Sequence, residues 1–411
     1  MTHVKNTAPL SYIPSFDGVR GIACLIVVFH HLPLHYVRLS FSFVWVFLQV
    51  FFVMSGYLIT RILLADKNAS NVGVYLKNFY AKRAFRIFPL YYTYILFWII
   101  IVLLFGDNKF LNTPNINIAP DIKQNWWMLL TYSYNFKELF YFTNGQSFFE
   151  APIFSHLWSL GVEEHFYLFF PFAVYFLSEK NLKKFVITTI IGVFFLRIIF
   201  YHYLCSINEN PLWVGISLYR NTITQIDSLF IGALMALIDW DKIKNPKYWF
   251  LASVILFTAI TIGNGYWVSI QEDVTISEAL HEFVILTKNY SFAILMPLAN
   301  IMSALFMLTL LKQPSWLNTI FEQKWAIAIG KISYGIYIYH FFVFLIVIIF
   351  SSVIVKRYHL DINSIWVNVC IAIACVSTTV LVAQLSFTYY ESYFLKFKKY
   401  FQTPKSKVDL I

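Results

Sequence analysis

The chain reads as an all-α, polytopic membrane protein of about ten transmembrane helices, with a further re-entrant or interfacial helix near 126-142. Three observations predict this. Of 411 residues, 59% are hydrophobic and 20% aromatic, and only 13% are charged, against about 25% charged in a soluble domain. Apolar runs of spanning length recur from one end to the other. Basic clusters fall on alternate connections between those runs, as the positive-inside rule requires.

Runs of about 17 to 25 apolar residues place spans at 16-35, 43-64, 87-105, 165-178, 185-204, 226-240, 248-266, 290-311, 333-355 and 365-388. The stretch WWMLLTYSYNFKELFYF at 126-142 is interrupted by Asn135, Lys137 and Glu138, so it suits the interface better than the hydrocarbon. Charge decides whether it crosses. Segment 61-86 carries Arg61, Lys67, Lys77, Lys82, Arg83 and Arg86 against Asp66 alone, which fixes it as cytoplasmic. With 126-142 not crossing, the clusters Lys180-Lys183-Lys184, Lys242-Lys244-Lys247, Lys312-Lys324-Lys331 and Lys396-Lys398-Lys399 share that side. The acidic loop of Glu272, Asp273, Glu278 and Glu282 lies opposite. A crossing at 126-142 would invert every later loop. Both termini are thus expected in the cytoplasm of a multi-pass cell-membrane protein.

The chain is read as one membrane domain, 1-411, with a motif-bearing core at 11-397 and a short basic tail at 398-411. A net charge of +10 in so apolar a chain belongs to cytoplasmic loops, and no nucleic-acid partner is expected. Cys24, Cys205, Cys370 and Cys375 lack CxxC spacing, so neither zinc nor a disulfide framework is indicated. Only His3 and Lys5 precede the first run, without a small-residue cleavage site, so that run is expected as an uncleaved span.

The first span carries the sharpest chemistry. Arg20 and His31 are eleven residues apart in FDGVRGIACLIVVFHHLPL, which brings them within about 20° of one helical face, about 16 Å apart along the axis. An arginine in hydrocarbon normally faces protein or a water-filled path. Asp17, one turn before Arg20, is within its reach. A lone histidine is more often an interhelical hydrogen-bond partner. Here a neighbouring cation disfavours the imidazolium, which suits His31 as a general base, while His30 reads as packing.

The stretch YAKRAFRIFPLYY at 80-92 puts Arg83 and Arg86 three residues apart, with Lys82 beside them and Pro89 marking a break at the membrane mouth. Snorkelling anchors are the plain explanation; paired guanidiniums at that mouth also suit phosphate. HLWSLGVEEHFYLFFP at 156-171 sets Trp158, Glu163 and Glu164 together. The two acids are about 100° apart on a helix, so one faces the interior, in a site for a polar acceptor. The spacing of His156 and His165 does not match a HExxH pattern, and no metal is expected. Ser55, Gly56 and Tyr57 in SGYLIT allow close backbone approach. Asp227, His340 and Glu391 are ionisable groups in or beside apolar spans, and each inherits functional suspicion.

Taken in order, FDGVRGIACLIVVFHH, FFVMSGYLIT, RAFRIFPLYY, HLWSLGVEEHFYLFFP, IDSLFIGALMA, GKISYGIYIYHF and SFTYYES resemble the membrane-bound acyltransferase-3 family of bacterial O-acyltransferases. The resemblance implies a ten-helix domain that takes an acyl group, usually acetyl, from cytoplasmic acyl-CoA to a hydroxyl of a surface carbohydrate or its lipid-linked precursor. It implies that Arg20 and His31 are needed for activity, and that Lys82, Arg83 and Arg86 contact coenzyme A. Family members often add an extracytoplasmic hydrolase-like domain; without one, hand-over to a second active site would need a separate partner. The chain departs from the family at His165, Gln225 and Tyr393, where glutamine, arginine and proline are usual, which bears on the acceptor more than on the reaction. The resulting expectation has His31 acting as base or transient acyl carrier and Arg20 steadying the thioester or its oxyanion. A transporter or flippase is the alternative, and would need inverted symmetry that the sequence does not display. A multispanning glycosyltransferase would typically show acids in the first external loop, and 33-42 has none.

Overall fold

In the computed structural model the described residues are 12–32, 43–68, 71–113, 116–145, 147–207, 210–280, 291–312 and 315–401. Among them the protein is helical, with no strand. The main helices are α1 Pro14–His30, α2 Val44–Asp66, α3 Val72–Phe105, α4 Ile118–Leu130, α5 Lys137–Thr143, α6 Trp158–Phe176, α7 Glu179–Ile207, α8 Pro211–Arg220, α9 Thr222–Leu237, α10 Pro246–Glu272, α11 Ser291–Lys312, α12 Lys324–Arg357 and α13 Ile365–Ser386. The loop at 33-42, Glu282, His3, Lys5 and the tail beyond 401 lie outside the described residues.

Local chemistry sets the helix starts. Pro14 opens α1, where its missing N–H costs nothing, and Asp17 in the first turn complements the helix dipole. Asn71 caps α3 by accepting from the Val74 N–H at 3.0 Å. Pro89 does not break α3 as expected; it lies inside a 34-residue helix. The loss of one ladder bond is absorbed by a long helix packed among neighbours. Lys82, Arg83 and Arg86 therefore ride on the same rigid rod as the span that follows.

Small residues seat the central helices. A Cβ at Gly330 of α12 would fall 1.9 Å from the Asp17 carbonyl oxygen of α1, so these backbones touch directly. Gly56 plays the same part between α2 and α9, where a Cβ would meet the Leu229 carbonyl oxygen at 1.9 Å. The SGYLIT motif is thus in part a packing device. Apolar side chains such as Phe195, Ile199, Leu251, Ile255 and Ile373 are exposed on the outer helices, as lipid contact demands.

Seven helices are long and apolar enough to cross a membrane: α2, α3, α7, α10, α11, α12 and the helical run from 365 to 401. The predicted spans at 16-35, 165-178 and 226-240 correspond to α1, α6 and α9, which do not meet that measure, so length and apolarity do not carry the count of ten. The reason is physical. Helix α1 has 17 residues and α9 has 16, about 26 and 24 Å against a core of about 30 Å. Helix α6 carries Glu163, Glu164 and His165. All three bear candidate site residues, and α9 is buried along most of its length.

At 126-142 the chain forms α4 and α5 around a turn in which Tyr132 has φ 57°. With 13 and 7 residues, neither is long enough to cross. The interrupting residues turn inward: Asn135, Lys137 and Glu138 are all buried.

Candidate active site

Two cavities adjoin along α1. The lower, about 220 Å³, is lined by Arg20 and Cys24 of α1, by Arg83 and Arg86 of α3, by Glu163 of α6 and by Lys398, among others. The upper, about 100 Å³, is lined by His30, His31, His156, Trp158, Arg220 and neighbours. Val27, Leu48 and Tyr337 line both. Arg20 and His31 therefore share a helix side but not a cavity. At about 16 Å of axial separation, Arg20 cannot reach an oxyanion formed at His31. Helical geometry persists to His31, whose N–H bonds the Val27 carbonyl at 3.2 Å.

In the lower cavity Arg20 is held by Asp17 through a 3.0 Å ion pair, and Tyr12 donates to the other Asp17 oxygen at 2.8 Å. Asp17 thus positions Arg20 and does not line the cavity. Arg83 and Arg86 form no salt bridge among the described residues, and the Arg83 Nε is buried without a hydrogen-bond partner. The Arg83 guanidinium lies 5.8 Å from the Tyr167 ring centre and 6.0 Å from that of Phe79. Cys24, expected only to pack, is buried and lines the cavity while donating weakly to the Ser333 carbonyl. With three arginines and Lys398 against Glu163, the lining suits an anion.

In the upper cavity His31 Nδ1 lies 3.0 Å from His340 Nε2, and the two rings stack 5.0 Å apart at 15°. His340 Nδ1 contacts the Tyr337 carbonyl at 2.7 Å. The His156 ring stands edge-on to His340 at 4.8 Å, with neither nitrogen hydrogen-bonded. Tyr337 donates to the His156 carbonyl and lies 2.7 Å from Ser159 Oγ. Trp158 packs against Tyr219 at 4.9 Å.

Several predicted residues sit elsewhere. Lys82 turns to Asp66 at 3.5 Å and lines neither cavity. Asp227 is taken by the fully buried Arg197, which also bonds the Thr224 carbonyl at 2.8 Å, and it accepts from Asn300 at 3.3 Å. It is a structural carboxylate with no opening to a substrate. Glu164 lines neither cavity, yet its Oε1 is buried without a partner; both acids thus turn inward where one was expected, and of the two Glu163 alone lines a cavity. Glu391 accepts from Ser386 at 3.1 Å and interacts with Arg86 through space without lining the cavity. His340 meets His31 rather than open space. Among the described residues no cluster suits a metal ion.

Arg197, Arg220 and Tyr337 escaped the sequence reading. Arg197 sits in GVFFLRIIF and carries the same signal that singled out Arg20. Arg220 anchors a polar cluster outside the spanning helices, donating to Glu138 at 2.9 Å and Glu150 at 2.6 Å. Burial alone would raise the Glu150 carboxyl, but the Arg220 guanidinium, aided by Lys137, holds it below its ordinary value. Glu138 is more deeply enclosed, and burial leaves it raised despite the same two cations.

The acyltransferase-domain family model matches residues 13–385. The peptidoglycan O-acetyltransferase OatA of Listeria monocytogenes is 29% identical over 402 residues, covering 96% of this chain and 58% of the relative. The O-acetyltransferase OatA of Staphylococcus aureus is 26% identical over 403 residues, covering 96% and 60%. The chain thus spans about three fifths of the length of these curated relatives. No solved structure matches it significantly. With apolar helices and a match over nearly its whole length, this multi-pass membrane protein belongs to the membrane-bound acyltransferase-3 family.

Proposed function

We propose that the protein is an O-acyltransferase, moving an acyl group, acetyl in the simplest case, from acyl-CoA to a hydroxyl of a cell-surface carbohydrate or its lipid-linked precursor. The observation that carries this reading is the convergence of Arg20, Arg83 and Arg86 on one cavity that abuts the His31 cavity. The cationic lining supports binding of the coenzyme A phosphates. The donor enters from the cytoplasm, where the basic 61-86 segment is placed by the positive-inside rule, with both termini on that side of the bacterial cell membrane. The names of the relatives support acetyl transfer to a glycan.

In this reading the thioester is threaded past Val27, Leu48 and Tyr337 to His31. His31 takes the acceptor hydroxyl's proton as its oxygen attacks the thioester carbon, or first carries the acyl group itself. In either case the C–S bond breaks, an ester C–O bond forms, and coenzyme A leaves as its thiol. Arg20, remote from His31, holds the donor and not the oxyanion. Trp158 and its cavity neighbours offer an aromatic and polar wall to the acceptor.

Purified protein in lipid nanodiscs, given labelled acetyl-CoA and a glycan acceptor, should release coenzyme A and label the acceptor, and His31→Ala should lower both by at least about 100-fold. Turnover retained in His31→Ala would remove that residue from the chemistry. Accumulation of unmodified acceptor across the membrane without coenzyme A release would favour a flippase instead.

A further inference from the structure

We infer that His340 is a positioning residue that fixes the tautomer of His31, leaving its Nε2 as the basic nitrogen. The inference rests on the acyl-transfer reading for its purpose, but its geometry stands apart from it. A carbonyl oxygen can only accept, so the 2.7 Å contact between His340 Nδ1 and the Tyr337 carbonyl requires the proton to be on Nδ1. His340 is fully buried, among His31, His156, Tyr337, Phe341 and Phe344. Among the described residues no carboxylate pairs with it. An unpaired cation there would be costly, so the ring is neutral and its Nε2 is a bare acceptor.

His340 Nε2 lies 3.0 Å from His31 Nδ1, and two lone pairs cannot share that distance favourably. His31 Nδ1 must therefore carry the proton and donate it. A neutral His31 then has its lone pair on Nε2, for which no hydrogen-bond partner is found among the described residues. His31 itself is only partly covered and lines the upper cavity. Carbonyl, buried imidazole and cavity imidazole form a directed chain in which each proton position is dictated by the one behind it. The stacking of the two rings at 15° and the edge contact of His156 with His340 limit rotation that would swap the nitrogens. The second imidazole thus serves the orienting role that a carboxylate serves in hydrolase triads, without placing a charge in the membrane interior.

The test has two arms. Nitrogen-15 resonances of histidine-labelled protein in nanodiscs, assigned with His31→Gln, should show His31 protonated on Nδ1, whatever the protein's activity. In His340→Phe the population should move to the Nε2–H form. Protonation of wild-type His31 on Nε2 would overturn the inference. In the acyl-transfer assay, His340→Phe should lose kcat by about 100-fold or more with the KM for acetyl-CoA unchanged, since a wrong tautomer costs turnover and not donor binding. His340→Gln keeps a carbonyl acceptor near the position of Nε2 and should recover at least a tenth of wild-type kcat. Equal losses in the two variants would also overturn the inference. Absence of turnover in the wild type would count against the functional reading alone, because the resonance arm still decides the tautomer.

Discussion

Two arginine sites in this molecule, one fully buried and one half-buried in a cavity wall, differ in whether the fold supplies a carboxylate. Arg197 is wholly enclosed and has its own carboxylate, Asp227, which also accepts from Asn300; its Nε donates to the Thr224 carbonyl, and only its Nη1 is left without a partner. Arg83 and Arg86 line a cavity and form no salt bridge among the described residues. Burying a cation demands compensation. Where the fold supplies it, as at Arg197, the arginine holds helices together; where the fold withholds it beside a cavity, an anion from outside can supply it. Arg20 stands between these cases, since Asp17 neutralises it while leaving it in the cavity wall.

The largest effect belongs to the neighbouring chemistry. His31→Ala should lower turnover by about 10²–10⁴-fold, the range expected for a lost general base, while acetyl-CoA binding in the arginine cavity is retained. Coenzyme A release and binding, measured on one preparation, check this. Loss of binding as well would mean that the two cavities are not separable.

Next is the structural arginine. Asp227→Ala leaves Arg197 buried and unpaired and should destabilise the protein by about 3–5 kcal/mol, read from thermal unfolding in detergent. Removing both partners, with Arg197→Met and Asp227→Leu, should restore much of that loss. A stable Asp227→Ala protein with impaired acceptor use would return Asp227 to the functional site and break the comparison.

A smaller effect lies outside the spanning helices. Arg220 holds the Glu150 carboxyl below its ordinary value of 4.5, so the stability it contributes is complete above that value and fades as pH falls through the depressed one. Glu150→Gln should flatten this acid limb in unfolding midpoints followed from pH 7 down to about pH 3. An unchanged limb would show that the pair does not carry it.

Much of this was legible in sequence because hydrocarbon penalises charge. The rule that an intramembrane arginine faces protein or a water-filled path singled out Arg20, and a three-residue spacing singled out Arg83 and Arg86, which line the same cavity; periodicity separated Glu163 from Glu164 but missed that the Glu164 carboxylate is also buried. Three things were not legible. A helix-face argument places Arg20 and His31 on one side but says nothing of the side chains of Val27, Leu48 and Tyr337 that partition the space above that side. Pairing across the chain is invisible, so Asp227 and Lys82 looked available when Arg197 and Asp66 had claimed them. The spanning lengths of α1, α6 and α9 could not be judged, because a helix enclosed by protein need not match the hydrocarbon that encloses its neighbours.

The central claim is that the cavity lined by Arg83 and Arg86, neither of them in a salt bridge among the described residues, binds the donor. Acetyl-CoA binding to purified wild type, to Lys82→Ala and to the double variant Arg83→Ala/Arg86→Ala tests it most directly. The account predicts near-wild-type affinity for Lys82→Ala, whose ammonium already faces Asp66, and about 10- to 100-fold weaker binding for the double variant, from charge-assisted hydrogen bonds worth about 1.5–3 kcal/mol. Equal affinity in wild type and the double variant would contradict it.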